Sequence, residues 1–244
     1  MDHMPGVIDA VKRAYLDLRD VYEHLNSLVM TAFLLTLALS AIGFFLSGLG
    51  FALLSQLVRL AVHIAFGFVL TPYLIAVHRF IILGEATSRY DLEPADARFQ
   101  RFFGWTVVFA LLSAVPAILL SILPLPGFLR FLLGLVLAIA VLIVTLRLVI
   151  VLPAVAVDSP GVTWQNAMAD TDGYALRIFL IGLAASIPVA LAAAILAGLF
   201  GSFRFVLLEL VATLILGAAG FVIASLLVVI ASRIYEWLGD RVRA

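Results

Sequence analysis

The sequence predicts an all-α integral membrane protein. Six transmembrane helices are expected as three hairpins, preceded by an amphipathic N-terminal surface helix. Three observations predict this. The first is composition: 65% of the 244 residues are hydrophobic and only 12% are charged, with a mean hydropathy of +1.22. A soluble domain is roughly half apolar and a quarter charged. No soluble core holds such an excess, so lipid must solvate much of the surface. The second is the shape of the apolar runs. They are continuous, as over 107–123 and 178–199, and long enough for helices that cross the bilayer. A barrel would alternate polar and apolar residues in strands of about ten. The third is the linkers, which alternate between short, nearly uncharged turns and longer polar segments.

Taken in order, the first element is a helix carrying Val7, Ile8, Val11, Tyr15, Leu18, Tyr22 and Leu25 at three- and four-residue steps, with charges between them. Its polar face is mixed in sign, which reads as an anchoring helix leading into the first span. Asp2, Asp9, Asp17, Asp20 and Glu23 argue against a secretory leader, whose first region is basic. The six spans are expected at 28–48, 56–78, 104–123, 130–152, 178–199 and 206–231. Arginines sort with the linkers. Lys12, Arg13, Arg19, Arg79, Arg89, Arg98, Arg101, Arg177, Arg233, Arg241 and Arg243 fall on the side of the termini, against Arg59, Arg130 and Arg204 on the other. The positive-inside rule then places both termini in the cytoplasm. Trp105, Trp164 and Trp237 fall near that boundary.

An internal repeat is visible. Spans one, three and five carry Ser40-Ala41-Ile42-Gly43, Ser113-Ala114-Val115-Pro116 and Ala185-Ser186-Ile187-Pro188. The last residues of these are 73 and 72 positions apart, and the next arginine follows each by 16, 14 and 16 residues. The chain therefore reads as a single membrane domain, 1–244, with candidate repeat units 1–85, 86–158 and 159–244. Parallel repeats of this kind occur in transporters.

The candidate intramembrane polar site comprises Arg59, His63, His78, Arg147 and Glu209. Gln56, Arg59, His63, Thr71 and His78 fall within roughly 120° of one helix arc, a stripe expected to face the bundle interior. Glu209 is the only acid inside an expected span. It leads a face of Thr213, Gly217, Gly220 and Ala224, where small residues allow close helix approach. Arg130, Arg204 and Arg59 are its expected partners. Arg147 precedes a helix break at Pro153, after which a helix is expected from Thr163, its N-cap, through Arg177, with Asp170, Asp172 and Gly173 as candidate breaks before span five.

Several classes are excluded. The chain has no cysteine, hence no disulfide, thiol nucleophile or thiolate-bound metal. A net charge of zero argues against nucleic acid as a partner. No HExxH, GxSxG, P-loop or GxGxxG pattern occurs, so no catalytic residue, cofactor or metal is expected. Lys12 is the only lysine among the basic residues, a bias that fits a GC-rich bacterial source.

The stretch from Arg147 through Ile181 combines Leu152-Pro153-Ala154, Asp158 and Trp164-Gln165-Asn166-Ala167-Met168 with Thr171 and Gly173. It resembles six-span bacterial inner-membrane proteins of the YciC kind. That group is itself similar to the membrane domain fused to some glycerophosphodiester phosphodiesterases. The resemblance implies an inner-membrane location and a link to envelope lipids, and supplies no catalytic residue. The leading expectation is a non-enzymatic membrane protein whose partners are lipids and other integral membrane proteins. The alternatives are a small transporter or channel with a polar path near Arg59, His63 and Glu209, and an intramembrane enzyme.

Overall fold

The computed structural model describes residues 4–46, 52–202 and 205–244, with the side chains of all of these except 52–56 and 59. Among the described residues there is no strand. Six helices are long and apolar enough to cross a membrane: α2 (Asn26–Leu46), α3 (Ala52–Leu83, apolar from Leu60), α4 (Ala97–Ile122), α5 (Gly127–Arg147, continued by the short α6, Val151–Ala156), α8 (Ala175–Gly201) and α9 (Val206–Leu238). The remaining helices are α1 (Val7–His24), α7 (Trp164–Asp170) and α10 (Asp240–Arg243). The spanning helices pair as hairpins α2–α3, α4–α5 and α8–α9, the last being the most intimate. An even number of spans brings both termini to one end, here called the polar end.

Four spans extend past their expected limits at that end. Helix α3 runs to Leu83, α4 starts at Ala97, α8 starts at Ala175 and α9 continues to Leu238. At 1.5 Å per residue α9 is about 50 Å long, well beyond a hydrocarbon core of about 30 Å. Hydropathy marks only the apolar part of such a helix. The excess persists because protein, not lipid, surrounds it: Leu226, Val229, Ile230, Ile234 and Tyr235 are all buried.

The N-terminal helix is docked on the bundle. Its Ala10, Ala14, Asp17, Leu18 and Val21 are buried against α8 and α9, while Lys12, Arg13, Arg19 and Glu23 are exposed. The Tyr15 hydroxyl donates to the Ala185 carbonyl at 2.8 Å. Pro188 lies three residues on and frees the neighbouring Ala184 carbonyl, so Tyr15 docks beside a weakened turn of α8. Arg177 Nη2 donates to Pro5 O at 2.6 Å, fixing the start of the same helix. Ile8 is the exception to the expected apolar stripe, being largely exposed.

The break near Pro153 occurs just ahead of it. Helix α5 ends at Arg147, and Val151 N donates to Leu148 O at 3.0 Å. Pro153 then sits in the first turn of α6, where its missing N–H costs nothing. Thr163 caps α7 as expected, its hydroxyl accepting from Asn166 N at 3.1 Å. Gly173 adopts a left-handed φ of +77° between α7 and α8, a conformation glycine takes without Cβ strain.

The core is strongly one-sided. Buried residues concentrate at the polar end, in α1, the second half of α3, the start of α4, α6 and the last third of α9. The far end splays. Helix α5 has no buried residue, and Phe45, Phe128, Phe131, Phe205 and Leu207 are exposed. Between the ends, α2 and α9 touch closely at Gly217, where a Cβ would lie 2.5 Å from Ser40 Oγ. This is the small-residue approach expected of that face; Gly220, by contrast, faces open space.

Candidate functional site

Two constructions of polar residues stand out, one inside the bundle and one at the polar end. Inside, α3 and α9 are pinned by two side-chain hydrogen bonds. Tyr73 Oη lies 2.7 Å from Ser225 Oγ, and His78 Nδ1 lies 2.7 Å from Ser232 Oγ. Both serines also donate to their own helix, Ser225 to Phe221 O and Ser232 to Val228 O. With the serine protons so used, Tyr73 donates to Ser225. His78 then carries its proton on Nδ1 and donates to Ser232. That leaves Nε2 as a bare acceptor, and it has no partner. His78 is fully buried and packs on Phe102. The Tyr22 hydroxyl, reaching in from α1 toward Ser225, is also buried. Burial raises the Tyr22 pKa above its ordinary value, so it stays neutral.

At the polar end, ion pairs join segments far apart in sequence. Arg233 grips Asp17 through two hydrogen bonds of 2.7 and 2.8 Å and also binds Glu236 at 2.7 Å. The Asp17 and Arg233 side chains are only 11% and 15% exposed, so this pair lies mostly out of water. Asp158, at a left-handed φ of 53°, gathers three arginines. Arg98 bonds it closely, Arg101 at 3.0 Å, and Arg79 approaches to 3.8 Å. The Arg98 hydrogen bond, with the surrounding positive charge, holds the Asp158 carboxyl below the usual carboxylate range. Arg79 also pairs with Glu85 at 2.6 Å and donates to Ala156 O.

Among the described residues, the expected site members His63, His78, Arg147 and Glu209 do not share one site. The Arg59 side chain and Arg204 lie outside the described residues. His63 and Glu209 are exposed and, among the described residues, neither side chain has a partner. The inward stripe therefore holds at Thr71 and His78 and fails at His63. His63 and His78 are 15 residues apart, about 22 Å along α3, and the helices diverge toward the His63 end. Glu209 occupies the first turn of α9, where the helix dipole favours an acid. Arg130 serves its own hairpin instead, donating to Leu123 O at 3.0 Å.

Arg147 is structural in placement. Its Nη2 donates to Met168 O at 2.7 Å and to Asp172 at 2.8 Å, while its own carbonyl accepts from Thr171. Asp170 ends α7 with its side chain only 4% exposed. It caps α10, accepting from the backbone N–H groups of Arg241 and Val242 at 3.0 Å each. Among the described residues no group of three or more His, Asp or Glu could hold a metal ion.

Sequence reasoning missed the Asp17–Arg233 pair, the Asp158 hub and the Tyr73–Ser225 bond. Asp17 did leave a trace: it is an acid on the face carrying Ala14, Leu18 and Val21, and an acid there needs a partner.

A cavity of about 370 Å³ opens at the polar end between α3, the 84–96 segment and the start of α4. Pro72, Ile75, Ala76 and Phe99 give it an apolar side, and charged residues of the 84–96 segment line the other. No protein-family model, curated protein or solved structure matches this chain.

Proposed function

We propose that the chain is a non-enzymatic protein of a bacterial inner membrane, with both termini in the cytoplasm, that engages envelope lipids and other integral membrane proteins in an assembly, scaffold or homeostasis role. The observation that carries this reading is the pinned interior. Two side-chain hydrogen bonds, Tyr73–Ser225 and His78–Ser232, tie α3 to α9, and the exposed His63 and Glu209 lie outside that seam. A coupling path needs its ionisable groups facing one wet cavity. The resemblance of the Arg147–Ile181 stretch to the YciC kind supports the same reading, as does the excess of arginine at the polar end.

Purification from the native host in mild detergent, with mass spectrometry of what accompanies the chain, tests this. Recovery of defined lipids or membrane proteins in fixed ratio is expected. Recovery of the bare chain would overturn it.

A second reading has one observation in its favour. The buried His78 Nε2, which has no partner, is a group a proton relay would use. On that reading His78→Gln abolishes a proton-coupled flux in vesicles. On the leading reading it alters stability alone.

A further inference from the structure

Pro72 lies inside α3 and removes from its ladder the one N–H that would meet Phe68 O. The Tyr90 hydroxyl donates to the Val69 carbonyl, three residues before the proline. Tyr90 belongs to the segment that leaves α3 at Gly84, where φ is +70°. Val69 lies 14 residues back from the end of α3, about 20 Å along the helix. The 84–96 segment is thus folded back beside α3 and fastened there. Its anchorage keeps the 370 Å³ cavity open against α4. That volume is in the range of small-ligand sites.

The chemistry of the lining is specific once the committed groups are removed. Arg79 is taken by Glu85, Ala156 O and Asp158. Arg98 is taken by Asp158. Asp96 caps α4, accepting from Phe99 N at 3.0 Å. Thr87, Arg89, Asp91 and Glu93 remain, all exposed and, among the described residues, without side-chain partners. The free groups are one guanidinium, two carboxylates and a hydroxyl, set over an apolar floor of Pro72, Ile75 and Ala76. A plain anion would meet the Asp91 and Glu93 carboxylates, and a plain cation would leave Arg89 unmatched. A ligand that carries both charges on an apolar stem satisfies all three elements.

We infer that this cavity binds the headgroup of a zwitterionic phospholipid with a primary ammonium, a phosphoethanolamine lipid. Its phosphate lies on Arg89, its ammonium on Asp91 and Glu93, and its glycerol and first acyl carbons on Pro72, Ile75 and Ala76. The ammonium must be primary because three N–H donors suit two carboxylates, whereas a quaternary choline has none to give. Guanidinium matches phosphate through paired N–H donors. The location agrees, since the cavity sits where α3 and α4 leave the membrane. This assignment rests on the proposed lipid-engaging role and names the lipid class.

The test uses the full chain in detergent, with synthetic dioleoyl phosphatidylethanolamine, phosphatidylcholine and phosphatidylglycerol added in equal amounts and bound lipid read by native mass spectrometry. The ethanolamine lipid should be retained about tenfold over the other two. Arg89→Gln and the pair Asp91→Asn, Glu93→Gln should each bring it down to the choline level with an unchanged melting temperature, because these side chains are exposed and unpaired. Tyr90→Phe, which removes one hydroxyl, should lower retention in the same direction. Soluble glycerophosphoethanolamine at the same concentration should not compete; if it displaces the lipid, the lipid assignment is overturned. Equal retention of the three lipids, or variants that retain the ethanolamine lipid as the parent does, would also overturn the site. Preferential phosphatidylglycerol retention would sink the site while leaving the lipid-engaging role intact. Failure to hold any lipid would remove both.

Discussion

The polar end and the far end of the bundle are built from the same six helices and held by different physics. At the polar end, α1, α6, α7 and α10 fill the spaces between the spans. Asp17–Arg233, Arg147–Asp172, Arg98–Asp158 and the Asp170 cap on α10 join segments up to 216 residues apart. At the far end the helices expose large apolar side chains such as Phe45, Phe128 and Phe205, and α5, which runs between the two ends, buries none of its 21 residues. Lipid is as good a partner for leucine as another helix is, so apolar faces there have no drive to converge. The difference teaches where this fold is specified: in the polar contacts of one end, with apolar length serving only to place the helices in the membrane.

The comparison is sharpened by breaking each end in turn. The largest effect belongs to Arg233→Ala, which strands Asp17 in a mostly buried site. Breaking such a pair costs about 3–5 kcal/mol, read as a lowered unfolding midpoint in detergent, and the double variant Asp17→Ala, Arg233→Ala should recover part of the loss. Next is Ser232→Ala, which leaves the His78 Nδ1–H buried without an acceptor, at about 1–3 kcal/mol. Adding His78→Phe should restore much of this, since an apolar pair leaves nothing unsatisfied. Tyr15→Phe removes one hydrogen bond at the Pro188 kink and should cost about 1 kcal/mol, with faster proteolysis near α1. Smallest are Glu209→Gln and His63→Gln at the far end, each expected within about 0.5 kcal/mol of the parent. A large loss from either would mean the far end is also specified by polar contacts.

Much of this architecture was legible in the sequence. Six apolar runs and three short turns fix the hairpins because a helix in lipid has no alternative. The caps and breaks at Thr163, Pro153 and Gly173 were legible too, since they depend on neighbours in the chain. The candidate site was legible only in part. A helical arc correctly put Thr71 and His78 on the inner face, but it extends without limit along α3 and knows nothing of helices diverging toward His63. Glu209 looked like a buried partner for arginine because hydropathy counts it inside a span; its place in the first turn of α9 makes it a helix-end acid. The Asp158 hub depends on Arg79, Arg98 and Arg101 meeting across three segments, and no local pattern encodes that meeting. Tyr90 and Tyr15 show how far such contacts reach: each serves a carbonyl near a proline in a helix distant from it in sequence.

On the proposed reading the seam between α3 and α9 serves helix pairing and holds no water path. The chain has no cysteine, so single cysteines report without interference. Ser225→Cys and Ser232→Cys, each probed in sealed vesicles with a small membrane-impermeant thiol reagent from either side, test the claim directly. The account predicts no labelling at either position until the protein is unfolded, with the control Arg89→Cys labelled at once from the side that carries the termini. Rapid labelling of both seam positions in the folded protein would reveal a water path between α3 and α9, and would contradict the account in favour of transport.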